Sequence, residues 1–176
     1  QTVSTYSVQI SSESQKACNT SPVFNEFPPI VICANEPIDF DHSATDAEGD
    51  QIVYEFCGAL AGGGVLGAFE FGDPESCEGF RPDPACPPPY TPVRYAFPTF
   101  SPSEPMRGDP MIEIDPNTGL ITGTPQNLGQ YVVGVCVKEF RNGVLLSTIQ
   151  RDFQFNVANC APLVDARIRG DERIAD

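Results

Sequence analysis

Asn35 to Phe56 reads N-E-P-I-D-F-D-H-S-A-T-D-A-E-G-D-Q-I-V-Y-E-F. Ile38 and Phe40 alternate with polar residues, and so do Ile52, Tyr54 and Phe56. A period of two puts one face of the chain on a core and the other in water, the pattern of half-buried strands. Between the two runs Asp39, Asp41, Asp46, Glu48 and Asp50 crowd around Gly49. The expectation is a hairpin carrying an acidic turn. Hard oxygen donors gathered on a short loop suit calcium, which takes many oxygens in flexible geometry. These five carboxylates are the candidate calcium ligands. The competing reading is a solvated turn, in which Asp and Gly simply bend the backbone.

Working outward toward the N-terminus, Phe27 to Cys33 (F-P-P-I-V-I-C) reads as an edge strand, because its prolines lack a ladder donor. Tyr6, Val8 and Ile10 alternate within Thr2 to Ile10, a further strand. Ser11 to Lys16 reads as a polar loop. Cys18 to Phe24 reads as a linker entering a strand, and Asn19-Thr20-Ser21 within it is formally a glycosylation sequon.

Toward the C-terminus the pattern dissolves from Gly58 to Ser103 into glycine-rich and proline-rich runs. A stretch of this length is usually functional or disordered. Cys77 and Cys86 lie close together inside it and are expected to form a local disulfide. Tyr90, Tyr95, Phe97 and Phe100 offer a sugar- or protein-binding face, or cap the open end of the fold. Val93 to Phe97 is a candidate short strand. Beyond it, Ile112 and Ile114 alternate, Asp115-Pro116-Asn117-Thr118-Gly119 turns the chain, and Leu120 and Ile121 return. Gln130 to Phe140 is a strand, Asn142-Gly143 a hairpin turn, and Val144 to Val157 the return, with Ile149, Phe153, Phe155 and Val157 on the core side. About seven short strands and no helical pattern give an all-β sandwich.

The chain has 176 residues, a net charge of -14 and 40% hydrophobic residues. So acidic a chain is not expected to bind nucleic acid, whose phosphates would repel it. No apolar run is long enough for a membrane-spanning helix, so membrane insertion is not expected. Seven cysteines without a C-x-x-C pair, beside a single histidine, argue against zinc and for disulfides made in an oxidising, extracellular compartment. The odd number leaves at least one thiol free or paired elsewhere. Gln1 to Ser14 is polar with no basic start, so the chain is expected to be processed or a piece of something longer. Cys18-Asn19-Thr20-Ser21-Pro22-Val23-Phe24 is echoed by Asn159-Cys160-Ala161-Pro162-Leu163-Val164. This reads as a repeat boundary seen twice. Residues 21–159 are then one domain, with an insertion at 58–103. Residues 1–20 end a preceding unit or donate a strand, and 160–176 open the next unit or link to it.

Ala44 to Tyr54 (A-T-D-A-E-G-D-Q-I-V-Y), Ile114 to Pro125 (I-D-P-N-T-G-L-I-T-G-T-P) and Gly129 to Val135 resemble dystroglycan-type cadherin-like and putative Ig domains. Ser21 to Asp46 and Arg141 to Val157 resemble repeats of very large surface proteins of gliding bacteria. The resemblance spans roughly Cys18 to Cys160. It implies an Ig/cadherin-like sandwich, type IX secretion, and work as an adhesin or extracellular fibre. It also implies calcium at a domain junction, carried by Asp46, Glu48 and Asp50. The D-R-E motif and D-x-N-D-N linker of cadherins are absent. A sandwich of this kind would set Cys57 beside Cys136, and Cys33 near Cys160, leaving Cys18 over; the sequence itself leaves connectivity open.

Three further motifs invite chemistry. Arg107-Gly108-Asp109 and Arg169-Gly170-Asp171 spell an integrin-binding tripeptide, and their bland reading is coincidence. Asp41-His42-Ser43 suggests a hydrolase, but consecutive strand residues point to opposite faces and no second constellation supports a triad. The chain therefore reads as a non-enzyme. The expected function is a structural or adhesive surface module, joined to neighbouring copies through Tyr6, Val8 and Ile10 as a donated strand. The alternative is an accessory domain that binds glycans, or a host or substratum protein, through 58–103.

Overall fold

A computed structural model describes residues 6–61, 91–96 and 99–160. The Cys77–Cys86 pairing, Tyr90, Phe97, the second Arg-Gly-Asp and the C-terminal tail lie outside these residues. In chain order the strands are β1 (Tyr6–Ile10), β2 (Val23–Phe24), β3 (Val31–Cys33), β4 (Ile38–Asp41), β5 (Ala44–Thr45), β6 (Gln51–Cys57), β7 (Leu60–Ala61), β8 (Thr91–Pro92), β9 (Glu113–Ile114), β10 (Leu120–Gly123), β11 (Gly129–Arg141) and β12 (Val144–Ala158). A short helix, α1 (Ser12–Lys16), follows β1. The chain is all-β, and its sheets are mainly antiparallel.

The long β11–β12 hairpin is the spine. Asn142 and Gly143 both take positive φ, 53° and 79°, as a two-residue hairpin turn demands. A register shift at Glu139/Phe140 marks a bulge beside that turn. β6 pairs with the far edge of β11. β1 and β3 share the far edge of β12, at Ser147–Arg151 and Asn156–Ala158 respectively. A second sheet, β4-β10-β9, packs on the first. Val133, Val135, Val137, Ile149, Phe153, Phe155 and Val157 from the spine meet Ile38 and Ile121 of the second sheet in one core. The expected core face of β12 is thus the observed one.

The expected turn at 115–119 also forms. The Asp115 carboxylate accepts from Asn117 N and Thr118 N, both at 2.8 Å. Gly119 has φ of 76°, and a Cβ there would meet the Tyr54 ring at 2.9 Å, so both conformation and space require glycine.

Three local expectations are corrected. Ile38–Phe40 and Ile52–Phe56 do not form a hairpin, because β4 joins β10 while β6 joins β11 in the other sheet. Alternation fixes which face of a strand is buried, not which strand it pairs with. Between them β5 crosses over and pairs with β2. Ser11 to Lys16 is not a loop but a helix, capped by the Ser11 hydroxyl accepting from Ser14 N at 3.1 Å. Val93 to Ala96 is not a strand; β8 ends at Pro92, although Val93 N still donates to Ala59 O. Tyr6 to Ile10 forms the expected strand, and in this structure it pairs with β12 of its own chain.

Among the described residues there are two disulfides. Cys57 on β6 and Cys136 on β11 are joined, with Cα atoms 5.8 Å apart. Cys33, at the end of β3, is joined to Cys160, just past β12, at a Cα distance of 5.3 Å. Cys18 is free and exposed.

Candidate functional site

Asp46 begins the acidic loop and folds it. Its Oδ1 accepts from Glu48 N at 3.1 Å and from Asp50 N at 2.7 Å, an Asx-type turn that draws three carboxylates inward. One oxygen each from Asp46, Glu48 and Asp50 lies within 4.8 Å of the others. Asp39 and Asp41 are not part of this group. Both sit exposed on β4, and Asp41 instead accepts from Ser43 N at 2.9 Å.

Residues far away in sequence complete the site. Arg141, at the end of β11, donates to both oxygens of Asp50 and to Asn19 Oδ1. That pairing holds the Asp50 carboxyl below its ordinary range. Asn19 in turn donates to Glu139, which also accepts from the Ser147 hydroxyl. Glu139 is fully buried, and burial pushes its pKa above the usual glutamate value. Thr20 donates to Glu48 through both its backbone and its hydroxyl. The arrangement clamps Asn19 and Thr20 onto the acidic loop and the end of the spine hairpin. Because the Asn19 amide is bonded to Glu139, the formal sequon is not free to carry a glycan without breaking the clamp.

The donor set is all oxygen, and Asp46 Oδ2 is buried without a hydrogen-bond partner among the described residues. Those features fit a hard cation. Arg141 is a competing positive charge already in place. Glu139 was missed in the sequence, yet a signal existed. It shares the in-facing parity of Val133, Val135 and Val137, so a carboxylate was bound to be buried there.

The other candidates are packing residues. His42 is fully buried, edge-on to Phe24 with ring centroids at 4.8 Å and stacked on Phe153 at 5.4 Å. Its Nε2 accepts from Arg151 at 3.0 Å, which makes it neutral with the proton on Nδ1. Burial, reinforced by Arg151, lowers its pKa to about 3. Its neighbour Asp41 does not touch it as a triad acid would; the carboxylate serves Ser43. Arg151 itself lies over the Phe24 ring at 4.0 Å and donates to Glu26 O.

Of the four insertion aromatics, Tyr95 and Phe100 are described. The Tyr95 hydroxyl accepts from Ala59 N at 3.2 Å, and Phe100 packs edge-on against Tyr131 at 5.7 Å. Both cover the body rather than project from it. Arg107-Gly108-Asp109 is also held, by Asp109 N to Thr124 O and Arg107 Nε to Thr99 O. Among the described residues no helix is long and apolar enough to cross a membrane. Compared with known proteins, the chain matches no family model, no curated protein and no solved structure.

Proposed function

We propose that this chain is an extracellular structural or adhesive module, an Ig/cadherin-like sandwich within a large secreted bacterial surface protein or fibre. The observation that carries this reading is that the body is tied at both ends. The incoming segment is clamped at Asn19 and Thr20 to Glu139, Arg141 and Glu48. The outgoing chain is bonded at Cys160 to Cys33. A unit tied in this way passes tension from one neighbour to the next through its main sheet. Two disulfides support placement in an oxidising compartment, because reducing compartments do not maintain them. The reading is tested on intact source cells with an antibody to the module. Surface labelling, lost on external protease treatment, is the expected result. Antigen confined inside the cell with reduced cysteines overturns it.

Calcium belongs to this reading as a stiffener of the incoming junction. Asp46, Glu48 and Asp50 would hold it, in competition with Arg141. Replacing Arg141 by Gln removes the counter-ion of Asp50 and should lower Tm in calcium-free buffer, because the Asp50 carboxylate loses its charged hydrogen bonds. Calcium should then raise Tm more in Arg141→Gln than in the parent chain. An identical or absent response to calcium in both, followed by scanning calorimetry, would remove calcium from the reading.

A further inference from the structure

We propose that β1 is an exchangeable arm, and that the β12 edge it covers is a docking site for the same strand of a second copy of this chain. Among the described residues, the buried apolar core draws nothing from Tyr6 to Ile10. Tyr6, Val8 and Ile10 remain 52, 42 and 54% exposed. What holds the arm is mainly the backbone ladder, running from Tyr6 opposite Arg151 to Ile10 opposite Ser147. Ser11 N extends it to Leu146 O at 2.9 Å, and Tyr6 meets the edge of Phe24 at 6.1 Å. The body therefore closes its core whether or not the arm is docked.

The arm joins the clamp through α1. Behind it, Asn19 and Thr20 are fixed by the clamp. Between arm and clamp α1 ends in a left-handed turn, with Cys18 at φ of 51° and Asn19 N donating to Ser14 O at 3.1 Å. Release of β1 ahead of α1 bares the Ser147–Arg151 edge of β12. Unpaired edge donors and acceptors template a further strand. The strand that fits in register is β1 of another copy, since exchange remakes the same contacts between chains. The exposed apolar face of the arm, beside Val23 and Phe27 at 66 and 88% exposure, gives the joined copies surface to bury. Reciprocal exchange closes a dimer, and head-to-tail exchange builds a fibre.

This inference deepens the module reading and rests on it for its place in a fibre. The two fail separately, because exchange is read in purified protein and surface placement on cells. Gln9 and Thr148 face each other across the ladder. Gln9→Cys and Thr148→Cys are made separately, each with Cys18→Ser, and together in one chain. After co-incubation and oxidation, the mixed single-site chains should give a covalent product of twice the chain mass. Val8→Pro, which breaks the arm's strand, should abolish that product. Closure within the double-site chain without any cross-link between single-site chains overturns the proposal. So does failure of the double-site chain to close, which denies the ladder. Sedimentation of the unmodified chain as a monomer at every concentration overturns it too.

Discussion

Replacing Cys33 and Cys160 together by alanine should lower the unfolding free energy by about 5 kcal/mol. The bond spans 127 residues, so it encloses almost the whole body and removes much of the freedom of the unfolded chain. On the same scale the Cys57–Cys136 bond, spanning 79 residues, contributes about 4.5 kcal/mol. Loop length thus barely separates the two; access does. Cys160 is exposed, whereas Cys136 is buried between β6 and β12. Mild reductant should open Cys33–Cys160 first, because exchange requires a thiolate to reach sulfur. Urea unfolding of the double alanine variant tests the magnitude, and alkylation followed by peptide mass analysis tests the order. A loss below about 1 kcal/mol would show that the outgoing end is held by the β3–β12 ladder and not by its covalent tie. For a domain whose total stability is on the order of 5–15 kcal/mol, the expected loss decides whether it folds at all in warm conditions.

Acid should destabilise the chain steeply, and His42 is the reason. The folded pKa is lowered from 6.5 to about 3. Between those values the unfolded chain holds a proton that the folded chain refuses. Stability therefore falls as pH falls through this window, by up to about 1.4 kcal/mol per pH unit. Lowered carboxyl values at Asp41, Asp50 and Asp115 act in the same direction at the acid end, since their contribution is lost as they protonate. Glu139 opposes them. Its raised pKa means that its contribution is present below the unfolded value and is lost as pH rises through the folded one. His42→Gln keeps an acceptor for Arg151 and removes the titration. Urea midpoints measured from pH 7 to pH 4.5 should fall clearly for the parent chain and much less for the variant. Equal slopes would mean that His42 is reached by solvent and is not locked between Phe24 and Phe153.

Much of this fold is legible in the chain. Asn142-Gly143 and Asp115 to Gly119 announce their turns, because few other residues accept those backbone angles. The in-facing residues of β12 follow from alternation, and both observed disulfides join the cysteines that a sandwich would bring together. Alternation could not say that β4 and β6 part company into different sheets, since each presents a valid core face to either partner. The acidic site was half legible. Asp46, Glu48 and Asp50 are neighbours in sequence, but Asn19, Glu139 and Arg141 reach them only through the return of the spine hairpin. Their signal was one of misfit. Glu139 and Arg151 are charged residues at core parity, and each proves to be the centre of a buried polar cluster. His42 invited the opposite error: a residue type associated with chemistry serves as an aromatic filler with one acceptor nitrogen.

The long bond from Cys33 to Cys160 makes most of the body a covalent ring. A single peptide-bond break anywhere between those residues opens the ring without dividing the molecule. Breaks between Cys57 and Cys136 are bridged a second time. The glycine- and proline-rich stretch falls inside both rings. A protease that cuts there changes the mass by one water and leaves both flanking strands attached, so the damage stays invisible on a gel until reductant is added. In a nicked chain the segments before Cys33 and after Cys160 stay joined through that bond.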